Sequence, residues 1–245
     1  MWQIVNIMEN SNLRKPEEYK LTEVISIVSH QLKSPISVVK SCLEILSSGD
    51  LGEINEKQKE YLSDAMENTK RMIELVQNFL DVSRIEEGRL DFKLELSSIE
   101  DIIRKMINEI DSLASAKNCS INFQVKSEIP KLKIDPMKIG QVVSNIISNA
   151  IEYSSSRGNI KINLKKRGSD VVFCCTDTGI GILDKDKNKI FSKFYRSEKA
   201  VAMNANGSGL GLFISKAIIE KSGGKIWFNS KEGEGSTFCF SLSVE

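Results

Sequence analysis

The sequence predicts a multi-domain chain: an all-α helical hairpin, suited to pair with a second copy as a dimeric four-helix bundle, followed by an α/β sandwich with helices on one face of a mixed sheet. Three observations carry this. Two long apolar runs with three-and-four spacing fill most of residues 21–87, the hydrophobic period switches to two at Leu90, and strand-like and helix-like segments then interleave to the end. The organisation read from them is a lead-in over residues 1–20, a helical part over 21–90 and a mixed part over 91–245.

Pro16-Glu17-Glu18 reads as a first helical turn. Leu21, Ile25, Val28 and Leu32 then step by four, three and four, and Ile36, Val39, Leu43 and Leu46 by three, four and three. The two halves are out of phase where Pro35 interrupts them, which predicts a bend. This helix carries His30, the only histidine in the chain. On a wheel of about 100° per residue it lies about 200° from both Val28 and Leu32, so it is expected to face solvent, where a neutral imidazole is a nucleophile for proton or phosphoryl transfer. Ser47 to Gly52 ends the helix with turn residues.

Asn55 with Gln58 three later reads as the capping box of a second helix. Its seam runs Leu62, Ala65, Thr69, Met72, Val76 and Phe79, and it ends near Gly88. Two such helices leave more apolar surface than they can cover for each other, which predicts a homodimer.

Leu90, Phe92, Leu94 and Leu96 alternate with polar residues as a strand. Ser98 opens a helix to about Ala116, Ile121 to Val125 alternate as a strand, and Asp135-Pro136 caps a helix with a broad apolar face from Ile139 to Ala150. Strands follow at 160–164, 171–175, 225–229 and 237–244, with a last helix near 210–222. Lys plus Arg number 34 against 33 Asp plus Glu, which leaves no electrostatic footprint for nucleic acid or an anionic membrane surface. No run approaches the ~18 apolar residues of a membrane span, so no membrane contact by this segment is expected. The five cysteines are scattered without Cys-x-x-Cys spacing, so neither a zinc site nor a disulfide framework is expected, and a cytoplasmic setting fits. A sensory or membrane portion preceding Met1 in a longer protein is compatible with all of this.

The chemistry concentrates in four stretches. Asn145 and Asn149, four apart on one helix face, offer uncharged amide oxygens of the kind that hold Mg²⁺ beside nucleotide phosphates. Asp177-Thr178-Gly179-Ile180-Gly181 follows a strand, with a carboxylate able to accept from an exocyclic amine and glycines that let main chain approach a flat ring. Gly207, Gly209 and Gly211 open a helix and present amide hydrogens for phosphate oxygens. Between the glycine stretches, polar segments bracket Ile190 to Arg196 as a lid with an aromatic clasp.

In order, these stretches resemble the sensor histidine kinase catalytic core. His30 to Pro35 resembles the H-box, Asn145 to Tyr153 the N-box, Asp177 to Gly181 the G1 box, Phe191 to Arg196 the F-box and Gly207 to Gly211 the G2 box. The resemblance implies a dimerisation and histidine-phosphotransfer domain followed by a Bergerat-type ATP-binding domain, with ATP and Mg²⁺ as cofactors and the receiver domain of a response regulator as partner. By it His30 is the phosphoacceptor, Asn149 with Asn145 holds Mg²⁺, and Asp177 binds the adenine amine. Tyr153 lines the adenine pocket with Gly179 and Gly181, Phe191 and Arg196 belong to the lid, and Gly207, Gly209, Leu210 and Gly211 cradle phosphates. Related ATPases carry a glutamate at the position of Asn145 to activate water, and its absence favours transfer to a side chain.

Three positions depart from the family pattern. Gln31 stands where an acid usually takes the imidazole proton, Ser34 where phosphatase-active members carry Thr or Asn, and Glu152 where a lysine usually meets the phosphates. An amide cannot act as a base, although Gln31 can hold Nδ1–H and leave Nε2 to attack. A carboxylate at Glu152 repels phosphates unless it points away or lid cations such as Lys193, Arg196 and Lys199 offset it, Arg196 being the leading choice. The alternative reading is a nucleotide-binding dimeric scaffold without phosphotransfer, and a third is an ATP-driven conformational machine, for which Asn145 lacks the carboxylate.

Overall fold

The computed structural model describes the main chain of residues 16–154 and 157–244, and the side chains of that set except residues 16–27 and 30. Cα packing divides the chain into two units between Arg89 and Leu90. The expected lead-in over residues 1–20 lies mostly outside the described residues.

The first unit is an antiparallel pair, α1 (Pro16–Ser48) and α2 (Glu56–Glu86). Helix α1 is assigned continuously through Pro35. The turn between them uses Gly49 and Gly52 at positive φ, with the Gly52 amide donating to the Gly49 carbonyl at 3.1 Å. The expected capping box at α2 is present: Gln58 N donates to Asn55 Oδ1 at 2.9 Å and Asn55 N to Gln58 Oε1 at 2.8 Å. Gly88, at φ 70°, follows the end of α2.

The second unit contains β1 (Glu95–Ser97), α3 (Ile99–Ala116), β2 (Ser120–Val125), β3 (Leu132–Ile134), α4 (Pro136–Tyr153), β4 (Asn159–Arg167) and β5 (Asp170–Thr176). A 3-10 turn at Asp184–Asp186, α5 (Glu198–Met203), α6 (Gly211–Lys221), β6 (Lys225–Lys231) and β7 (Gly235–Ser243) complete it. The sheet is mixed, in the order β2-β4-β5-β7-β6, with β2 parallel to β4 and the other pairs antiparallel. Ile160, Ile162 and Leu164 of β4 are buried while Lys161 and Lys165 are exposed, so one face takes α3, α4 and α6 and the other stays open. The fold class is therefore as expected. The strand anticipated from Leu90 is shorter: only Glu95–Ser97 finds a partner, β3, which the sequence reading did not anticipate. Alternation marks faces, but a strand needs a neighbour to hydrogen-bond.

Helix α4 is the element that positions the site, and its start is fixed by Asp135. One carboxylate oxygen accepts from Met137 N and Lys138 N, both at 3.0 Å, while the other accepts from Lys93 N at 2.8 Å. Asp135 thus caps α4 and ties down the segment entering β1. Asp135→Ala should lower the urea-unfolding free energy by about 2–3 kcal/mol, from the lost cap and the Lys93 amide left without its acceptor. Asp135→Asn should keep the cap but not the acceptor for Lys93 N, and so recover only part of it.

Candidate functional site

Three segments converge on α4. Near its middle, Asn145 Nδ2 donates to Ser215 Oγ of α6 at 2.9 Å, and Asn149 Nδ2 donates to Asn145 Oδ1 at 3.4 Å. A Cβ on Gly211 would lie 2.1 Å from Asn145 Oδ1, so only glycine lets the first turn of α6 approach this helix. Leu210 is fully buried beneath the turn and gives α6 no side-chain cap. Of the two amides, Asn145 is engaged on both atoms, whereas Asn149 Oδ1 receives no hydrogen bond among the described residues.

At its C-terminal end α4 meets the loop after β5. The Ile180 amide donates to the Tyr153 carbonyl at 3.1 Å, and a Cβ on Gly179 would sit 2.1 Å from that same oxygen. This contact sets Tyr153 beside Asp177. The Asp177 carboxylate is buried, and its Oδ1 accepts from Gly179 N at 2.8 Å and Ser236 N at 3.2 Å. Oδ2 receives no hydrogen bond among the described residues. Gly181 and Gly235 both take positive φ, and a Cβ on either would lie 2.0–2.1 Å from a carbonyl oxygen, that of Lys231 or Asp177 respectively. Ser230 and Ser236 share a 2.9 Å hydroxyl contact beneath the loop, and Ser230 Oγ also accepts from Ile182 N.

Burial pushes the Asp177 carboxyl above the usual carboxylate range, and the amide hydrogen bonds oppose this without cancelling it. Burial also raises the Tyr153 phenol, aided by the Glu152 charge and opposed by Arg196. The Cys175 thiol goes up through burial and then the Asp177 charge, so it stays protonated and inert.

The lid residues form their own network. Arg196 donates to the main-chain carbonyls of Ala200, Asn204, Ala205 and Gly207, and its buried Nε has no hydrogen-bond partner among the described residues. Asn204 Nδ2 donates to Glu152 Oε2 at 2.8 Å, and Lys199 pairs with Glu232. Tyr195 OH donates to Asp186 Oδ1 at 2.7 Å, a bond that holds the phenol pKa up at about 12. Phe191 meets Phe228 edge-on at 5.9 Å, with the Lys216 ammonium over its ring. Gly209 adopts φ 69°, with the Phe194 main chain 2.7–3.0 Å from where its Cβ would be.

The structure thus brings Asn145, Asn149, Tyr153, Asp177, Gly179 and Gly211 together around α4. Phe191, Arg196, Gly207 and Gly209 belong to the lid segment. On α1, Gln31 and Ser34 are exposed, one turn apart; His30 lies in the helix, but its side chain is outside the described ones, so its expected solvent exposure is too. Ser215, Ser230, Ser236, Gly235 and Asn204 build the site but carry no motif of their own. The Gly233-Glu234-Gly235 run before a strand was the one available signal.

Residues 20–88 match the family model described as the His Kinase A (phospho-acceptor) domain, and residues 134–245 match the one described as Histidine kinase-, DNA gyrase B-, and HSP90-like ATPase. The chain belongs to the sensor histidine kinases. Sensor protein kinase WalK of Staphylococcus saprophyticus is 33 % identical over 243 residues, covering 98 % of this chain and 39 % of the relative. Circadian input-output histidine kinase CikA of Synechococcus elongatus is 27 % identical over 218 residues, covering 88 % of this chain and 29 % of the relative. This histidine kinase chain therefore spans well under half the length of these curated relatives. Among solved structures, the catalytic domain of histidine kinase ThkA is 29 % identical with a TM-score of 0.56, over 62 % of this chain and 97 % of that one. ShkA, solved full-length with AMPPNP, shares the fold at a TM-score of 0.72 and 22 % identity, over 91 % of this chain and 46 % of that one. Among the described residues no helix of this kinase is long and apolar enough to cross a membrane.

The Asp177 environment yields a stability test. Below the unfolded-state pKa of about 3.9 the carboxyl is neutral in both states, and burial of charge costs nothing. As pH rises through the raised folded-state pKa, the folded protein must bury a charge and loses stability relative to the unfolded chain. Asn keeps the Oδ1 acceptor without the charge, so Asp177→Asn should match wild type in melting temperature at acid pH and exceed it at neutral pH. A gap that narrows as pH rises would contradict this.

Proposed function

We propose that the second unit binds Mg²⁺-ATP along α4 and transfers the γ-phosphoryl group to His30, from which it passes to an aspartate of a response regulator. The observation that carries this reading is the face of α4 bearing Asn145, Asn149 and Tyr153. The eight residue steps from Asn145 to Tyr153 span about 12 Å of helix, roughly the reach of an extended nucleotide triphosphate. Its C-terminal end lies at Asp177 and its other end at the open first turn of α6.

At the Asp177 end, Oδ2 accepts from the adenine amine while Oδ1 stays held by Gly179 and Ser236, so the acceptor is preorganised. Tyr153 and the bare α-carbons of Gly179 and Gly181 give the base flat walls. At the far end, the amides of the first turn of α6, with the Gly207 to Gly211 main chain, meet phosphate oxygens and the helix dipole favours their charge. The donor that suits Mg²⁺ is Asn149 Oδ1, an available neutral oxygen whose amide is held by Asn145. Bound there, the ion would neutralise developing charge on the phosphates. Glu152 Oε2 accepts from Asn204 of the lid, and Arg196 orders the lid carbonyls.

Transfer forms an Nε2–phosphorus bond at His30 as the γ-phosphorus–oxygen bond breaks and ADP leaves, and the imidazole proton goes to solvent. An amide at position 31 can accept Nδ1–H and so fix the tautomer, but it cannot take that proton. Homodimerisation is supported by the exposed apolar residues of the hairpin, among them Val28, Leu32, Val39 and Ile45. The response-regulator step is supported by ThkA, which has been solved in complex with response regulator protein TrrA.

The second reading, a nucleotide-binding scaffold without transfer, draws on the exposed amide of Gln31 where a base is expected. Incubation with γ-labelled ATP and Mg²⁺ separates the two. Acid-labile, base-stable label on the protein, absent from His30→Gln, supports the kinase, whereas bound ATP without label supports the scaffold. In the same assay Gln31→Glu should raise the single-turnover rate about tenfold or more, as expected when a positioned base is added. An unchanged or lower rate would remove the role given to Gln31.

A further inference from the structure

Cys174 of β5 and Cys239 of β7 are joined by a disulfide, against the expectation from their scattered positions, 65 residues apart in sequence. They are cross-strand partners, and the neighbouring residues in that row are Asn163 of β4 and Trp227 of β6. The bridge lies on the sheet face opposite the helices, whereas Cys175 next to it points into the core. Cys174 is half-buried and Cys239 buried, so the bridge is reached through the Cys174 sulfur, in the row that ends at exposed Trp227. Lys161 and Lys165 stand diagonal to Cys174, and Lys225 is two residues along its strand from Trp227, all exposed on the same face. Partial exposure among cations favours thiolates and exchange. Pairing of β5 with β7 does not require the bridge, since their ladder runs from Asp170–Ser243 to Thr176–Thr237.

What lies beyond that ladder matters for the site. Past the Thr176–Thr237 hydroxyl contact at 3.0 Å come Asp177 and Ser236, joined by Asp177 N donating to Ser236 O at 2.9 Å and Ser236 N donating to Asp177 Oδ1. The bridge therefore clamps the two strands whose ends hold the Asp177 carboxylate.

We propose that Cys174 and Cys239 form a reversible dithiol–disulfide modification site on the open sheet face, through which a low-molecular-weight disulfide tightens nucleotide binding at Asp177. The last part rests on the ATP reading above. In the forward step one protein thiolate attacks the disulfide RSSR, forming a mixed disulfide and releasing one RS⁻. The second protein thiolate then displaces the other RS⁻. The two cysteine sulfurs are oxidised, RSSR is reduced to two RSH, and the protons lost by the cysteines end on those thiols. In the oxidised form fewer conformations of the β5 and β7 ends compete with the one that presents Asp177 Oδ2. In the dithiol form the same ladder frays more readily at that end.

The full chain, equilibrated in glutathione buffers from reducing to oxidising, tests this. Peptide mapping after alkylation in denaturant should find Cys174 linked to Cys239 in a fraction that rises and falls reversibly with the buffer, while Cys42, Cys119 and the buried Cys175 remain unlinked thiols. A fluorescent ATP analogue should bind the oxidised form at least about threefold more tightly. The Cys174→Ser/Cys239→Ser variant should bind like the reduced form in every buffer. Overturning results are no linkage in any buffer, a mixed disulfide that stops at one cysteine, equal affinity of the two forms, or a redox effect that survives in the double variant. If neither form binds the analogue, the ATP reading fails on its own. Amide exchange at Gly179 and Ser236 then decides the clamp: slower exchange in the oxidised form supports it, and equal exchange overturns it.

Discussion

The Tyr153 carbonyl, accepting the Ile180 amide and lying against the bare α-carbon of Gly179, is the contact on which the second unit's site depends. It ends α4 and aims the loop after β5. A side chain at position 179 would collide with that oxygen, so the helix end and the loop would have to part. With the contact made, Asp177 comes to rest on its own loop amide and on Ser236, and one carboxylate oxygen is left outward. A buried carboxylate oriented in this way costs the fold stability at neutral pH, as the upward push on its pKa records. That cost is characteristic of sites kept for binding.

The opposite end of the site follows from the same helix. Asn145 reaches Ser215 and packs against Gly211, which locks α6 to α4 and leaves its first amides uncapped. The spacing between the Asp177 carboxylate and the uncapped amides of α6 is therefore set by a rigid helix. The lid, by contrast, is organised by one guanidinium: Arg196 gathers four carbonyls, and Asn204 couples the lid to Glu152. Arg196, from sequence the leading choice among the lid cations to offset Glu152, donates to main-chain carbonyls, and Asn204 donates to Glu152.

Local signals were legible in the sequence because their physics is local. The Asn55–Gln58 box, the Ser98 and Asp135 caps and the helix spacings each depend on residues a few positions apart, and each recurs in the structure. The Asp177 and Gly211 stretches were legible as types of chemistry. What closes around them was not, since Ser215, Ser236 and Asn204 gain their importance from partners 70, 59 and 52 residues away. The short α5 has six residues, too few for a period to declare itself. The Cys174–Cys239 bridge follows from strand register, which pairs residues that no spacing rule connects. Residues 90–94 alternate like a strand yet lie outside one, because the available partner, β3, is only three residues long.

Amide hydrogen exchange with and without Mg²⁺-ATP addresses the central claim, that α4 holds a nucleotide between Asp177 and the first turn of α6. The account predicts that Gly179, Ile180 and Ser236 are already protected in the free protein. With the nucleotide, their exchange and that of the amides from Gly209 to Phe213 should slow together. Fast exchange at Ile180 in the free protein, or slowing confined to residues away from both ends of α4, would contradict it.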